Sequence, residues 1–269
     1  MQVRFVQAVE GYRPDVFVLD QNIMSTEWFK GTHARHFPNV TFPGALFWPS
    51  REDGYNMQEF LHHNIPKFRI FVFPFFKEPS PLSAYALVPH GYCQEIVACA
   101  SKDNCNAPNT KLVKTWGKSA ASHLPKPLPV WQQPAHKYPN WMWEGFHRTY
   151  HADSIMRYAK FMLDHRQSIS GAAQLAAKWY EDLLALDDGA SSDPSVMDDN
   201  RLLSKAHVVQ LRRNRGVACY LVALDGDSAY KDCASRELSI YLKFLQSEPS
   251  SEANEADRQQ MEGILQGLK

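Results

Sequence analysis

The chain has 269 residues, of which 44% are hydrophobic, enough for one large domain or two small ones with a substantial core. Its 29 basic side chains balance 29 acidic ones. This net charge of zero argues against a general binder of polyanions, so a nucleic-acid site would have to be a local patch. No apolar run reaches the roughly 18 residues that a bilayer-spanning helix needs, and we therefore expect no membrane partner.

The cysteine pattern predicts a reducing environment. The chain has an odd number of cysteines, and Cys93, Cys99 and Cys105 are evenly spaced without forming a CxxC pair. This spacing argues against a zinc ribbon and against a framework of disulfides. The N-terminal residues also lack the basic-then-apolar layout of a signal peptide. We therefore expect a cytoplasmic location.

Residues 1–80 are predicted to form a mixed region of strands and loops. Asp15–Leu19 has the composition of a short buried strand, and residues 54–64 predict a short helix. The strongest strand signal is Phe68–Phe76, in which Pro74 places the end of the strand at a sheet edge or a bulge.

Helical periodicity dominates the next part of the chain, residues 81–246, after a proline- and serine-rich boundary. The predicted segments are Gln94–Ala100, which is compatible with a helix, a helix from Ser170 to Leu186, a buried helix or strand at Val217–Leu224, and a helix over Ser235–Gln246. Residues 247–269 are predicted to be a mobile tail with at most a short terminal helix. The predicted fold class is α+β, with a small mixed N-terminal part followed by a mainly helical part.

The most aromatic of the predicted helices carries residues that could bind a metal. Glu144, His147 and His151 can share one helix face. Carboxylate and imidazole ligands suit iron or zinc, with His165 or His207 as a further ligand. The competing interpretation is that these histidines are hydrogen-bonded inside an aromatic core. Because no cysteine pair supports the three ligands, we expect no metal and no other cofactor.

Basic and aromatic side chains form a second candidate site. Three lysines recur at i, i+3 and i+7 on one predicted helix, and three arginines cluster near the end of another, where they could also complement the helix dipole. Tryptophans near the lysines could stack on an exposed base while the cations contact phosphates. The predicted nucleic-acid-binding residues are Lys111, Lys114, Lys118, Trp141, Trp143, Arg212, Arg213 and Arg215.

Five short motifs follow one another from about Ala84 onward. In chain order they are Lys111-Leu112-Val113-Lys114, Ala135 to Pro139, Met142 to Phe146, Tyr158 to Leu163, and His207 to Arg213. Their order resembles the pyrimidine-dimer DNA glycosylase family and its phage relatives. In that family a lysine-containing helix is followed by a His-Pro-rich lead into Met-Trp-x-Gly-aromatic, then by a Tyr/Met-rich helix and a histidine near basic residues. Residues 1–80 are not covered by the resemblance.

The resemblance implies an amine that attacks the sugar C1′ to form an imine, with a carboxylate that assists. In the phage prototype of that family this amine is the chain's own N-terminus; here Lys114, with a lowered pKa, is the candidate that would replace it, and Glu144 is the candidate acid. The chain departs from the family in two ways. The amine of Met1 stands some 80 residues before the matching segment, and the position of the family's acid falls near Gly117 and Lys118, which supply no carboxylate.

The favoured hypothesis is a nucleic-acid-associated protein of phage origin, related to a DNA base-excision scaffold. One alternative is a non-catalytic subunit or protein-interaction module, because clustered aromatic residues are typical of interface cores and would fit a protein partner. A second alternative is a metal-dependent enzyme that uses Glu144, His147 and His151. The sequence leaves open whether the chain is an enzyme.

Overall fold

The computed structural model describes residues 15–73, 84–99, 110–124, 143–186, 205–247 and 251–268. Their backbone forms two compact units. The first contains the described residues of 15–70, 84–86 and 96–99, and the second contains 71–73, 87–95 and the described residues from 110 onward. The predicted boundaries near residues 80 and 246 stay predictions.

The regular elements of the first unit are short. In chain order they are helix α1 (Gln21–Met24), the parallel strands β1 (Leu46–Phe47) and β2 (Gly54–Tyr55), and helix α2 (Met57–Asn64). Helix α2 begins with a capping box, in which the Asn56 side chain accepts from the Glu59 amide and the Glu59 carboxylate accepts from the Asn56 amide, both at 2.9 Å. Because this box satisfies two amides that have no partner within the helix, the predicted helix begins at a defined residue.

Aromatic rings fill the interior of the first unit. Phe29 is buried and meets Phe42 edge-to-face at 5.1 Å between ring centroids. The buried Asn64 closes this interior, since its side chain accepts from the Thr41 amide and donates to the carbonyls of Thr41 and Phe60, each at 2.8 Å. All of its amide hydrogen-bonding groups therefore find partners inside the protein, as burial requires.

A three-stranded sheet follows, and its residues are divided between the two units. Its strands are β3 (Ile70–Val72), β4 (Tyr85–His90) and β5 (Cys93–Ala98), in the order β3-β5-β4. Gly91 lies in the two-residue connection between β4 and β5 with φ of 60°, a conformation that favours glycine. Strand β3 confirms a strand within Phe68–Phe76.

Two local predictions in this part of the chain were wrong. Gln94–Ala100 was predicted to be compatible with a helix, but most of it lies in β5, because an apolar run this short does not distinguish the two. Asp15–Leu19 forms no strand. The Phe17 ring instead contacts the rings of Phe37 and Phe68, at 6.0 and 5.9 Å.

The second unit is mainly helical, which confirms the predicted α+β class with strands first and helices after. Its helices are α3 (Thr110–His123), α4 (Trp143–Asp164), α5 (Ala172–Leu186), α6 (Lys205–Leu224), α7 (Lys231–Ser247) and α8 (Glu252–Gly267). From α4 onward each helix packs on the next. Helix α8 is longer than the short terminal helix suggested by the sequence, and its Met261 is buried with Leu238 and Tyr241. None of the described helices is both long enough and apolar enough to cross a membrane.

A buried ion cluster joins α6 to α7. Glu237 is only 1% exposed, and its two carboxylate oxygens accept from Arg212 at 2.8 Å and Arg215 at 2.9 Å. Arg236 adds a longer contact to the same carboxylate, at 3.1 Å. Close approach of the helices also depends on Gly216, because a Cβ there would stand 2.6 Å from a methyl group of Leu238.

A disulfide between Cys219 and Cys233 also joins α6 to α7. The prediction against a framework of disulfides was therefore wrong, and Cys99 is disulfide-bonded as well. The pattern failed because the two cysteines lie 14 residues apart, on different helices, and meet only when the helices pack.

We expect Glu237→Gln to lower the free energy of unfolding by roughly 3–5 kcal/mol, because it removes the charge that compensates the buried guanidinium of Arg212 and the partly buried one of Arg215. Urea unfolding of the full chain measures this. Glu262→Gln is the matched control, since the contact of Glu262 with Arg258 on α8 is long and exposed, and it should change stability by less than about 0.5 kcal/mol. Equal stability of the two variants would contradict the structural role of Glu237.

We expect the double variant Cys219→Ala/Cys233→Ala to unfold with roughly 3 kcal/mol less free energy than oxidised wild type, because the bond closes a loop of 14 residues. Peptide mapping without reductant should find the two cysteines in one cross-linked species. Adding a reductant should destabilise wild type by more than it destabilises the double variant, since only wild type has this bond to lose. Free thiols at both positions in freshly purified protein would contradict the assignment.

Candidate functional site

One face of helix α4 gathers polar side chains around a half-buried arginine. Tyr150, Asp153, Ser154, Arg157 and Tyr158 stand at i, i+3, i+4, i+7 and i+8, the spacing that places residues on one side of a helix. Ser154 and Tyr158 are buried, whereas the other three are partly exposed. We call these five residues, together with His207 of α6, the α4 site.

His207, from α6, completes the charged part of the α4 site. Its Nε2 lies 3.4 Å from Oδ1 of Asp153, and both side chains are partly buried. The hydrogen bond with Asp153 raises the pKa of His207 above 6.5, although burial opposes this effect. The carboxylate therefore orients the imidazole and favours its protonated form.

Arg157 is held in place by the helix itself. Its Nη2 donates to Oγ of Ser154 at 2.9 Å, and the same hydroxyl donates to the Tyr150 carbonyl at 2.7 Å. Burial lowers the pKa of Arg157, and Asp153 raises it. Because a guanidinium keeps its proton in proteins, this site presents a positive charge with a fixed orientation.

The turn between β4 and β5 rests on the far end of the α4 site. The Gly91 amide donates to the Tyr158 hydroxyl at 2.6 Å, and the Trp116 indole donates to the Pro89 carbonyl at 2.7 Å. Burial raises the pKa of Tyr158 to about 12, so its hydroxyl stays neutral and available as an acceptor. Cys93 follows Gly91 by two residues at the start of β5, and burial raises the pKa of its thiol while Arg157 opposes that shift.

His151 lies on α4 but in a different environment. It is buried, its ring centroid lies 6.3 Å from that of Tyr92, and burial lowers its pKa to about 4. It is therefore neutral near pH 7. Glu144 and His147, predicted as its partners, belong to α4, but their side chains lie outside the described part of the chain. Among the described residues no three His, Cys, Asp or Glu side chains form a group suited to a metal.

The predicted lysine stripe lies on α3, as its helical spacing required. Lys114 and Lys118 are exposed there. Lys111 and Trp143 belong to helices whose side chains are not described at these positions, and Trp141 lies outside the described residues.

The three predicted phosphate-binding arginines all contact carboxylates in the helical unit. Arg212 and Arg215 contact Glu237, and Arg215 also reaches Glu181 at 2.7 Å. Arg213 forms a salt bridge with Asp257 of α8, in which Nε donates to Oδ2 at 2.9 Å. Sequence reasoning missed this because the carboxylate partners lie 22 to 44 residues away along the chain.

Sequence reasoning also missed most of the α4 site. Asp153, Ser154 and Arg157 were not singled out, and His207 was named only as an auxiliary metal ligand. The usable signal was the run of polar residues at i, i+3, i+4 and i+7 within an otherwise aromatic helix. The contribution of α6 had no local signal, because His207 lies 54 residues after Asp153.

The chain is similar to two curated proteins named as O-mannosyl-transferases. A "Protein O-mannosyl-transferase tmem260" of Dictyostelium discoideum is 33% identical over 162 residues, which is 59% of this chain and 19% of that protein. A "Protein O-mannosyl-transferase TMEM260" of Mus musculus is 25% identical over 262 residues, 92% of this chain and 34% of that protein. The chain thus spans about a third or less of these relatives. No family model matches, and no solved structure matches.

These relatives overturn the functional hypothesis drawn from the sequence. The resemblance to pyrimidine-dimer DNA glycosylases was wrong, and so were the nucleic-acid partner and the phage origin that went with it. Its motifs were each only a few residues long and matched only in their order and first spacing, whereas the similarity to the mouse protein runs along 92% of the chain. The catalytic roles of Lys114 and Glu144 were implied only by that resemblance and lose their basis.

We expect His207 and His151 to titrate on opposite sides of 6.5 in NMR spectra of the full chain. A raised pKa means that His207 contributes stability below the unfolded pKa of about 6.5 and loses it as the pH rises through the folded value. His151 has a lowered pKa, so its contribution is lost as the pH falls from about 6.5 toward 4. Asp153→Asn should lower the pKa of His207 and leave that of His151 unchanged. A wild-type His207 pKa at or below 6.5 would contradict the pairing.

Proposed function

We propose that this chain works in protein O-mannosylation, as a portion of an O-mannosyl-transferase similar to the TMEM260 proteins. The observation that carries the proposal is the similarity to the mouse protein along 92% of the chain. Since the chain spans 34% of that protein, the proposal assigns it a part of the transferase.

The α4 site has the chemistry to hold the acceptor. O-Mannosylation joins C1 of mannose to a hydroxyl oxygen of a protein, so the acceptor segment presents hydroxyls, peptide N–H groups and carbonyls. Arg157 and protonated His207 can donate to such oxygens, and the second carboxylate oxygen of Asp153 can accept from a hydroxyl or an amide. Because Ser154 and Asp153 fix the orientation of the two cations, little side-chain freedom is lost on binding.

We further propose that the chain works in an oxidising compartment. The cytoplasmic expectation rested on the spacing of the cysteines and on the layout of the N-terminal residues. The bond between Cys219 and Cys233 and the bonded state of Cys99 favour the opposite, because cytosolic thiols are kept reduced.

The function is tested in cells whose gene for this protein has been removed. We expect mass spectrometry to show less O-linked mannose on endogenous proteins and the wild-type gene to restore it.

Asp153→Asn and Arg157→Gln should reduce kcat/KM for the acceptor by roughly ten- to hundredfold, mainly through KM, since each loses a charge-assisted hydrogen bond. Asp164→Asn is the control, because Asp164 makes an exposed pair with Lys160 at the end of the same helix.

The outcomes separate the function from the site. Unchanged O-mannose after removal of the gene would overturn the function itself. If removal of the gene lowers O-mannose and the genes for Asp153→Asn and Arg157→Gln both restore it in full, the proposed function stands and the α4 site is rejected. A fall in kcat at constant KM would replace acceptor binding with a role in the chemical step.

A further inference from the structure

We propose that the first unit carries a carbohydrate-binding surface, built on Trp28 and Trp48, that takes a neutral hexopyranose. The structure describes the side chains of four tryptophans, and two of these, Trp116 and Trp179, are buried. The other two belong to the first unit, where Trp28 is 50% and Trp48 is 49% exposed. A large aromatic ring left half in water forgoes burial energy, and two such rings on segments joined by an ion pair offer a surface that a ligand can cover.

Both rings are held by their neighbours. Trp28 precedes the buried Phe29, and its ring lies 4.9 Å from the imidazole of His33. The Trp48 indole donates through Nε1 to the hydroxyl of Ser50 at 2.7 Å. Each indole therefore keeps an exposed surface with a restricted orientation.

The loop that carries Trp48 is fixed by its own backbone. The Arg51 amide donates to the Trp48 carbonyl at 3.2 Å, and the Gly54 amide donates to the Arg51 carbonyl at 3.1 Å. A Cβ on Gly54 would come within 2.0 Å of the Trp48 carbonyl oxygen, so only glycine allows this approach. The loop returns to the parallel pair of β1 and β2, which holds its two ends together.

Arg51 connects the two tryptophan segments. Its Nε and Nη2 donate to both oxygens of Asp53 at 2.9 and 3.0 Å, and its Nη1 donates to Glu27 at 3.0 Å. Glu27 directly precedes Trp28, so this ion pair ties the Trp28 segment to the Trp48 loop. Both carboxylates keep further lone pairs and are well exposed.

The chemistry of these side chains selects the ligand class. An indole face packs against the C–H groups of a pyranose ring, and oriented carboxylates and guanidinium groups pair with its hydroxyls. Arg51, Asp53 and Glu27 together carry one net negative charge, which disfavours phosphates and nucleic acid. The exposed charges of Glu27, Arg51 and Asp53 also disfavour a protein partner, since the cores of protein interfaces are depleted of charge.

The test is titration of the full chain with methyl α-mannoside and with a linear mannose oligosaccharide, followed by the indole N–H signals of Trp28 and Trp48. Only the choice of mannose as probe rests on the proposed function, so galactose and glucose series are run beside it. We expect saturable shifts at both tryptophans. Trp48→Ala should weaken binding roughly tenfold and Trp48→Phe, which keeps a ring, by less. Leu224→Ala, an exposed residue of the helical unit, should bind like wild type.

Each result decides the proposal. Since both tryptophans are half exposed, the variants should keep the wild-type thermal midpoint. If Trp48→Ala lowers the thermal midpoint, the binding of Trp48→Phe and Asp53→Asn is compared with wild type instead. Saturable binding of any of these hexopyranoses that Trp48→Ala weakens supports the surface, even if O-mannosylation proves unrelated. Absence of saturable shifts with every sugar, or binding that all variants keep, overturns it.

Discussion

The helical unit depends on the buried carboxylate of Glu237. A carboxylate that is 1% exposed would cost several kcal/mol of desolvation without a partner, and Arg212 and Arg215 supply two. Both arginines come from α6, so the pairing fixes where α6 lies against α7. His207 stands on the same helix, five residues before Arg212. The interaction that stabilises the helices therefore also positions the imidazole that faces Asp153.

Two histidines in this unit show how environment sets their chemistry. His151 is buried beside the ring of Tyr92, and the loss of water around it makes protonation unfavourable. His207 lies in the first turn of α6 beside the carboxylate of Asp153, and its protonation is favoured.

A carbohydrate-binding role for the first unit and an acceptor-binding role for the second would place sugar and protein recognition in separate parts of the chain.

Much of the fold could be predicted from the sequence, and little of the site. Helical periodicity indicated the later helices, and the composition of residues 54–64 indicated α2, because both signals depend on residues a few positions apart. The strand β5 and the disulfide could not be predicted, because each depends on a partner distant along the chain. The same limit hid the carboxylate partners of Arg212, Arg213 and Arg215. Short matched motifs then misdirected the functional hypothesis.

The bond between Cys219 and Cys233 also changes what a protease can do to this protein. The turn between α6 and α7, at residues 225–229, is exposed, and both cysteines lie inside the helices that flank it. A cut in that turn would leave two polypeptides joined through sulfur, so α6 and α7 would stay paired after the backbone is broken. The helical unit can therefore survive a nick at its most accessible α6–α7 position as a covalent whole, and it would separate only under reduction.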